Sequence, residues 1–225
     1  MQRITDSSLY LLQIQKVIQR EYSDIPPEDI ATIEKVIDWV HSFLCNPHSE
    51  LGRIGSVCPF TQPSIHKNMF WLSVYNKNFI TFDQVYDAMM RFRQTFLDLQ
   101  SNYDEESQYY LTILTLFPTI SGQDKLQMMG ALKEKLKPDF IREGLMIGLF
   151  YETYQKPGLW NPSFKPFQSP VPMLVIRKII PSDLYFSRNK PEYVQAYLDN
   201  FAPKIPNKIR KWIAEVIHKE ALRRL

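Results

Sequence analysis

The chain has 225 residues, of which 44% are hydrophobic and 23% are charged, and its formal net charge at pH 7 is +3. Such a chain can bury a substantial core, so we expect a single domain over residues 1–225. The charge is too small and too dispersed before the C-terminus for a nucleic-acid binder. The longest apolar runs fall well short of the ~20 residues that span a bilayer, and the N-terminus lacks a signal-peptide core. We therefore expect a cytoplasmic protein without membrane contact.

Hydrophobic periodicity predicts four helices and four strands. Apolar residues spaced by three and four positions mark the helices, and short runs rich in branched and aromatic residues mark the strands. The clearest helix starts at a capping box formed by Thr81 and Gln84, and another is expected to stop before Pro138. In chain order the predicted elements are helix 26–45, strand 69–75, helix 81–99, strand 109–117, helix 121–136, strand 145–151, strand 173–180 and helix 207–224.

This element order predicts an α/β (α+β) fold with one mixed four-stranded sheet and helices packed on its faces. Thioredoxin-like proteins share the order. We divide the chain into an N-terminal helical part over 1–50, an α/β core over 51–186 and a C-terminal helical part over 187–225. Residues 151–172 contain five prolines and form a long irregular connection, of the kind that is often functional.

Cys58 lies in the segment Arg53-Ile-Gly-Ser-Val-Cys58-Pro59-Phe60, just before a predicted strand. Glycine and proline favour a bend here, which would hold the thiol in a fixed position. Cys58 then acts as a thiolate, either as an iron ligand or as a nucleophile. The alternative is a small buried apolar side chain, because free cysteine is among the most buried residue types. The other cysteine, Cys45, is expected to pack at a helix end, and both are expected as thiols.

His66 follows Cys58 by eight residues and precedes the first predicted strand. A neutral imidazole at this place could be an axial haem ligand or a proton donor. The alternative is a solvated loop histidine without a chemical role.

The run Gly144-Leu-Met146-Ile-Gly148-Leu-Phe150 predicts a strand face with two missing side chains. Because alternate residues of a strand point the same way, Gly144, Met146, Gly148 and Phe150 would share this face. Two glycines on one face permit the close approach of a porphyrin or another flat ligand, or of a tightly packed helix.

Arg177 interrupts the apolar run of the last predicted strand. A guanidinium among apolar neighbours needs an anionic partner, since an unpaired buried charge is unfavourable. The partner could be a propionate or substrate carboxylate, or alternatively Asp183 or Glu143 in a purely structural role.

Three segments resemble a poorly characterised bacterial domain family, similar to the YqcI/YcgG-type proteins. They are residues 52–60, 144–150 and 169–177, which carry Gly-Arg-Ile-Gly-Ser-Val-Cys-Pro-Phe, Gly-Leu-Met-Ile-Gly-Leu-Phe and Ser-Pro-Val-Pro-Met-Leu-Val-Ile-Arg. Some members of that wider group are haem-dependent enzymes that hydroxylate nitrogen atoms of guanidine or amine substrates. The chain has Tyr151-Glu152 after Phe150, where the family pattern has a His-Pro.

The resemblance implies a haem b protein that oxidises a small nitrogen-containing metabolite with electrons from an unidentified donor. Cys58 would be the axial ligand, beside Pro59 and Phe60, with His66 as the rival ligand. Arg177 would hold a propionate or a substrate carboxylate. The face with Gly144, Met146 and Gly148 would receive the ring.

Two other functions stay open on the sequence alone. The first is a haem-free enzyme that uses Cys58 as a redox or acyl-accepting thiol. The second is a non-catalytic binding or assembly protein that docks partners on its aromatic and proline-rich surface. The basic C-terminal helix would then contact an acidic partner or a second subunit, as in a homodimer, although such charges are more often the solvated face of an amphipathic helix.

Overall fold

A computed structural model describes residues 2–3, 9–23 and 25–223 of the protein. The strands are β1 Gln2–Arg3, β2 Tyr10–Gln13, β3 Phe70–Val74, β4 Thr112–Leu116, β5 Leu145–Phe150 and β6 Met173–Lys178. The helices are α1 Ile14–Ile18, α2 Pro27–Trp39, α3 Thr61–His66, α4 Phe82–Gln100, α5 Gln123–Arg142, α6 Leu184–Ser187, α7 Pro191–Phe201 and α8 Asn207–Leu222. A π-helical turn, Val40–Leu44, continues α2, and short 3-10 turns lie at Ser49–Leu51, Ser107–Tyr110 and Pro181–Asp183.

The sheet has the strand order β1-β2-β3-β4-β6-β5. Strands β3 and β4 are parallel, and every other neighbouring pair is antiparallel. The mixed α/β class is therefore confirmed, but the prediction of four strands is wrong. Five strands, β2 to β6, form the main sheet, and the two-residue β1 extends it by pairing with the edge strand β2. The similarity of the element order to that of thioredoxin-like proteins stays a prediction.

Strand β2 lies in the N-terminal part, which the sequence predicted to be helical. Its residues Leu11 and Leu12 are fully buried, one on each face of the sheet. A strand that is apolar on both faces lacks the alternation that marks a strand in sequence. Helix α1 also begins directly after β2, so no turn residues mark the boundary between the two elements.

Two helical layers cover the sheet. Helices α4 and α5 pack on one face through an apolar cluster that includes Phe92, Phe96 and Leu136. Helices α1 and α2 pack on the opposite face around Ile33 and Val36. Helix α7 closes the β5 edge, where Tyr193 and Ala196 contact Met146. The second face is covered only in part by helices, and irregular segments complete it.

The predicted helix boundaries fit the structure unequally. The capping box of α4 is confirmed, because Gln84 N donates to Thr81 Oγ1 at 3.3 Å and Thr81 N donates to Gln84 Oε1 at 3.2 Å. The predicted end of the next helix before Pro138 is wrong, since α5 continues to Arg142. Proline removes one helical hydrogen bond, but burial of Phe140 and Ile141 beyond it holds the last turn in place.

Helices α1, α3, α6 and α7 were not predicted as separate elements, although α1 and α7 lie within the parts of the chain that were expected to be helical. Three of them have six residues or fewer, which is too short for a 3.6-residue periodicity to emerge. Within the described ranges, every helix is too short or too polar to cross a lipid bilayer.

Candidate ligand-binding cavity

A cavity of about 420 Å³ lies on the second face of the sheet. Its floor is formed by side chains of the four strands β3 to β6, including Phe70, Leu114 and Val175. Its roof is formed by irregular segments over residues 51–60 and 158–167. The volume falls in the range of ordinary small-molecule and cofactor sites. The lining is mostly apolar, with a few polar groups that converge on it, as such sites require.

Aromatic rings build one wall of this cavity. Phe150 and Phe167 pack edge to face with their ring centroids 5.3 Å apart, and Phe186 lies 6.1 Å beyond Phe167. Trp160 lines the cavity although it is 62% exposed, so it marks the opening to solvent. A ligand in the cavity would therefore be flanked by rings and shielded from water on its inner side.

Cys58, Pro59 and Phe60 all line the cavity, as does Arg53 from the same segment. The guanidinium of Arg53 donates to the carbonyl oxygens of Ser56 at 2.9 Å and Val57 at 3.1 Å. The backbone N–H of Cys58 donates to Leu44 O at 2.9 Å. These hydrogen bonds connect the bend to the π-helical turn after α2 and hold the half-buried Cys58 on the cavity wall.

Cys45 does not line the cavity. An antiparallel bridge between Pro47 and Ser56 and the hydrogen bond from Cys58 N–H to Leu44 O bring together the two chain segments that carry Cys45 and Cys58. Both cysteines are free thiols. Burial and, secondarily, electrostatic interaction with the nearby Cys58 raise the pKa of the Cys45 thiol.

Arg177 also lines the cavity, and its anionic partner is Asp183. The two side chains form a bidentate ion pair with distances of 2.7 Å and 2.6 Å, and Asp183 is 1% exposed. Burial alone would lower the pKa of Arg177, but Asp183 and, more weakly, Cys58 raise it. The alternative partner Glu143 is not used. Arg177 therefore has a structural partner, and its guanidinium also donates to the backbone oxygen of Lys178 at 3.0 Å.

The other predicted residues are dispersed. His66 is the last residue of α3, is exposed and does not line the cavity. Gly144 lies in the turn before β5 with φ +71°, where a Cβ atom would come within 2.5 Å of Asn200 Oδ1. The predicted face therefore lacks Gly144, because the strand begins only at Leu145. Met146 and Gly148 do share a sheet face with Phe150, and Met146 pairs in register with Arg177.

Met146 and Gly148 line a smaller cavity of about 80 Å³, next to the first one. Both cavities share the residues Phe150, Phe167, Val175, Arg177 and Phe186. The smaller cavity is also lined by Lys133 and Lys137 from α5 and by Lys156 from the proline-rich connection. This cluster could not be predicted from sequence patterns, because its members come from two distant segments and each resembles a surface lysine.

Ser64 is a further residue that sequence reasoning missed. It lies on α3, lines the larger cavity and is 1% exposed. Its hydroxyl has no hydrogen-bond partner among the described residues. A buried polar group without a partner is unfavourable by about 1–3 kcal/mol, so a ligand atom in the cavity would relieve it.

One family model matches the chain over residues 33–212, and its description is domain of unknown function (DUF6875). The chain belongs to this family. The match contains every residue that lines the two cavities, whereas strand β2 lies outside it. No curated protein and no solved structure matches the chain.

Proposed function

We propose that this DUF6875 protein is a haem-dependent oxidoreductase that oxidises a small nitrogen-containing metabolite. The observation that carries the proposal is Cys58 on the wall of the 420 Å³ cavity, within the part of the chain that matches the family. The resemblance of residues 52–60, 144–150 and 169–177 to YqcI/YcgG-type proteins supplies the cofactor and the substrate class. The apolar, ring-lined cavity and the unpartnered Ser64 hydroxyl support a bound group of this kind.

Cys58 would ligate the haem iron, and Arg53 and Leu44 fix the position of Cys58 through the hydrogen bonds of its bend. A haem with thiolate ligation would supply activation of dioxygen or peroxide. The rings of Phe150, Phe167 and Phe186 would exclude water from a group bound in the cavity. The described residues contain no group of three or more side chains that could hold a metal ion. A haem does not need such a group, because the porphyrin supplies most of the iron ligands.

A haem titration with matched cysteine variants tests this proposal. We expect wild-type protein to develop a Soret band, and its ferrous carbonyl form to absorb at the long wavelength typical of thiolate ligation. Cys58→Ser should lose that carbonyl band, whereas Cys45→Ser and His66→Ala should keep it. A wild-type protein without a spectral change on haem addition would refute the proposal. A Cys58→Ser variant that keeps the thiolate-type band would refute the ligand.

A haem-free thiol enzyme is the second candidate, and the nearness of the chain segments that carry the free thiols Cys45 and Cys58 favours it. The Cys58 thiolate would attack the O–O bond of a peroxide, giving a sulfenic acid and releasing water or an alcohol. The Cys45 thiol would then condense with the sulfenic acid to a disulfide and release water. Mass spectrometry after peroxide treatment distinguishes the cases. A Cys45–Cys58 disulfide in haem-free protein supports this candidate, and unchanged thiols exclude it.

A further inference from the structure

The smaller cavity carries more positive than negative charge. Four cationic side chains line it, namely Lys133, Lys137, Lys156 and Arg177. Two of them have a carboxylate partner, since Lys133 pairs with Glu134 at 2.7 Å and Arg177 pairs with Asp183 at 2.6 Å. Lys137 and Lys156 form no ion pair with any described residue. Two lysines of the cavity, the buried Lys137 and the half-buried Lys156, thus lack an ion-pair partner.

The surroundings of these two ammonium groups differ. Lys137 is 4% exposed and donates to the backbone oxygen of Phe186 at 2.7 Å. Lys156 lies 4.5 Å from the ring centroid of Phe186 and 5.4 Å from that of Phe167, and it donates to no described acceptor. An ammonium group has three donors, so Lys156 in particular has hydrogen-bonding capacity to offer a ligand.

The electrostatics agree with this geometry. Burial, followed by repulsion from Lys133 and Lys137, lowers the pKa of Lys156 to about 8. Burial also lowers the pKa of Lys137 to about 8, although Glu134 and Asp183 oppose the shift. An oxyanion between the two lysines would remove this penalty, because an opposite charge at short range favours the protonated form.

We infer that the smaller cavity binds an oxyanion, a carboxylate or phosphate group, through Lys137 and Lys156, and that this group belongs to a ligand whose apolar part lies in the larger cavity. The shared wall of Phe150, Phe167 and Phe186 supports a single ligand that spans both spaces. The anionic group has two possible sources: a substrate carboxylate or, if the proposed function holds, a haem propionate. Lys156 is then a binding residue that contacts the anionic end of the ligand.

Small anions test the site in haem-free protein. The probes are inorganic phosphate and acetate at constant ionic strength, and the readout is the midpoint of thermal unfolding. We expect a saturable rise of the midpoint for wild type, because a ligand that binds only the native state stabilises it. Lys156→Gln should weaken the apparent affinity about tenfold or more, in line with the loss of a charge-assisted hydrogen bond. Lys156→Arg should retain binding.

The matched control is Lys208→Gln, which removes an equal charge from the exposed surface of α8. Its anion response should equal that of wild type. Equal responses of wild type and Lys156→Gln, or a wild-type response that does not saturate, would overturn the inference. Lys137→Gln is a poorer variant, because it also removes the hydrogen bond to Phe186 and could lower stability by itself.

A second titration identifies the source of the anion and compares haem with its dimethyl ester, which has no propionate charges. If Lys156→Gln weakens binding of haem but not of the ester, the site holds a propionate. If both bind the variant as they bind wild type while the small-anion response is lost, the site holds a substrate anion. If neither binds wild type, the proposed function fails, and the small-anion experiment still decides the inference.

Discussion

At the scale of single residues, the Arg177–Asp183 pair connects the cavity floor to the chain that follows the sheet. Asp183 accepts two bonds from Arg177 and a third from the backbone N–H of Ile180 at 2.8 Å. The pair thereby fixes the 3-10 turn after β6, which contains the cavity-lining residue Ser182 and is preceded by the cavity-lining Ile180. A buried ion pair stabilises a protein little more than apolar side chains of similar volume would. Removal of only one partner, however, leaves a buried charge without compensation and strongly destabilises the protein.

We therefore expect Asp183→Asn to lower the free energy of unfolding by roughly 3 kcal/mol, measured by urea denaturation. Asp139→Asn is the control, because Asp139 pairs with Arg142 at 3.0 Å on the surface of α5. That variant should change the free energy of unfolding by less than about 1 kcal/mol. Similar losses in both variants would show that the burial of Asp183 has no energetic consequence.

At the scale of elements, the segment between α2 and α3 positions Cys58. Gly52 follows the Ser49–Leu51 turn with φ +78°, a conformation that favours glycine. A Cβ atom there would lie 3.1 Å from backbone atoms of Trp160. The Cys58 segment and the proline-rich connection thus meet at Gly52, and the opening of the cavity depends on their close approach.

We expect Gly52→Ala to destabilise the protein by about 1–2 kcal/mol, because the left-handed conformation disfavours a Cβ atom. Gly130→Ala is the matched control within α5, where a Cβ atom has open space. It should stabilise the protein by up to about 1 kcal/mol through the higher helix propensity of alanine. Thermal and urea unfolding of the two variants measure both effects. A neutral Gly52→Ala variant would contradict the packing at the opening.

Sequence patterns predicted the elements with long periodicity or explicit end signals, such as α4 with its Thr81 capping box. They failed at β2, which is buried on both faces, and at Pro138, where packing outweighs the missing hydrogen bond. Cys58 could be selected for the site because glycine and proline mark its bend. Lys156 and Ser64 could not be selected, since their environment exists only after distant segments have packed together.

At the scale of the whole molecule, the lysine cluster couples stability to pH. Lys137 and Lys156 have native pKa values of about 8, below the usual value of about 10.4 for lysine in an unfolded chain. Between these values the unfolded state binds more protons than the native state, so stability rises with pH. The other charged groups that act on the two lysines are Lys133, Glu134, Asp183 and Lys190.

We expect the free energy of unfolding to rise between about pH 8 and pH 10 by less in Lys156→Gln than in wild type. Urea denaturation across this range measures the difference. The comparison with the variant is needed because Cys45, whose pKa is raised, acts in the opposite direction. Identical pH profiles of wild type and Lys156→Gln would mean that the native fold does not lower the pKa of Lys156.

The position of Trp160 has a practical consequence for all of these experiments. The chain has four tryptophans, and two of them, Trp39 and Trp160, line the larger cavity. Trp71 lies in the core on the other face of the sheet, and Trp212 is on the outer surface of α8. A ligand that enters the larger cavity would change the surroundings of these first two indoles directly, so native emission reports occupancy without an attached label.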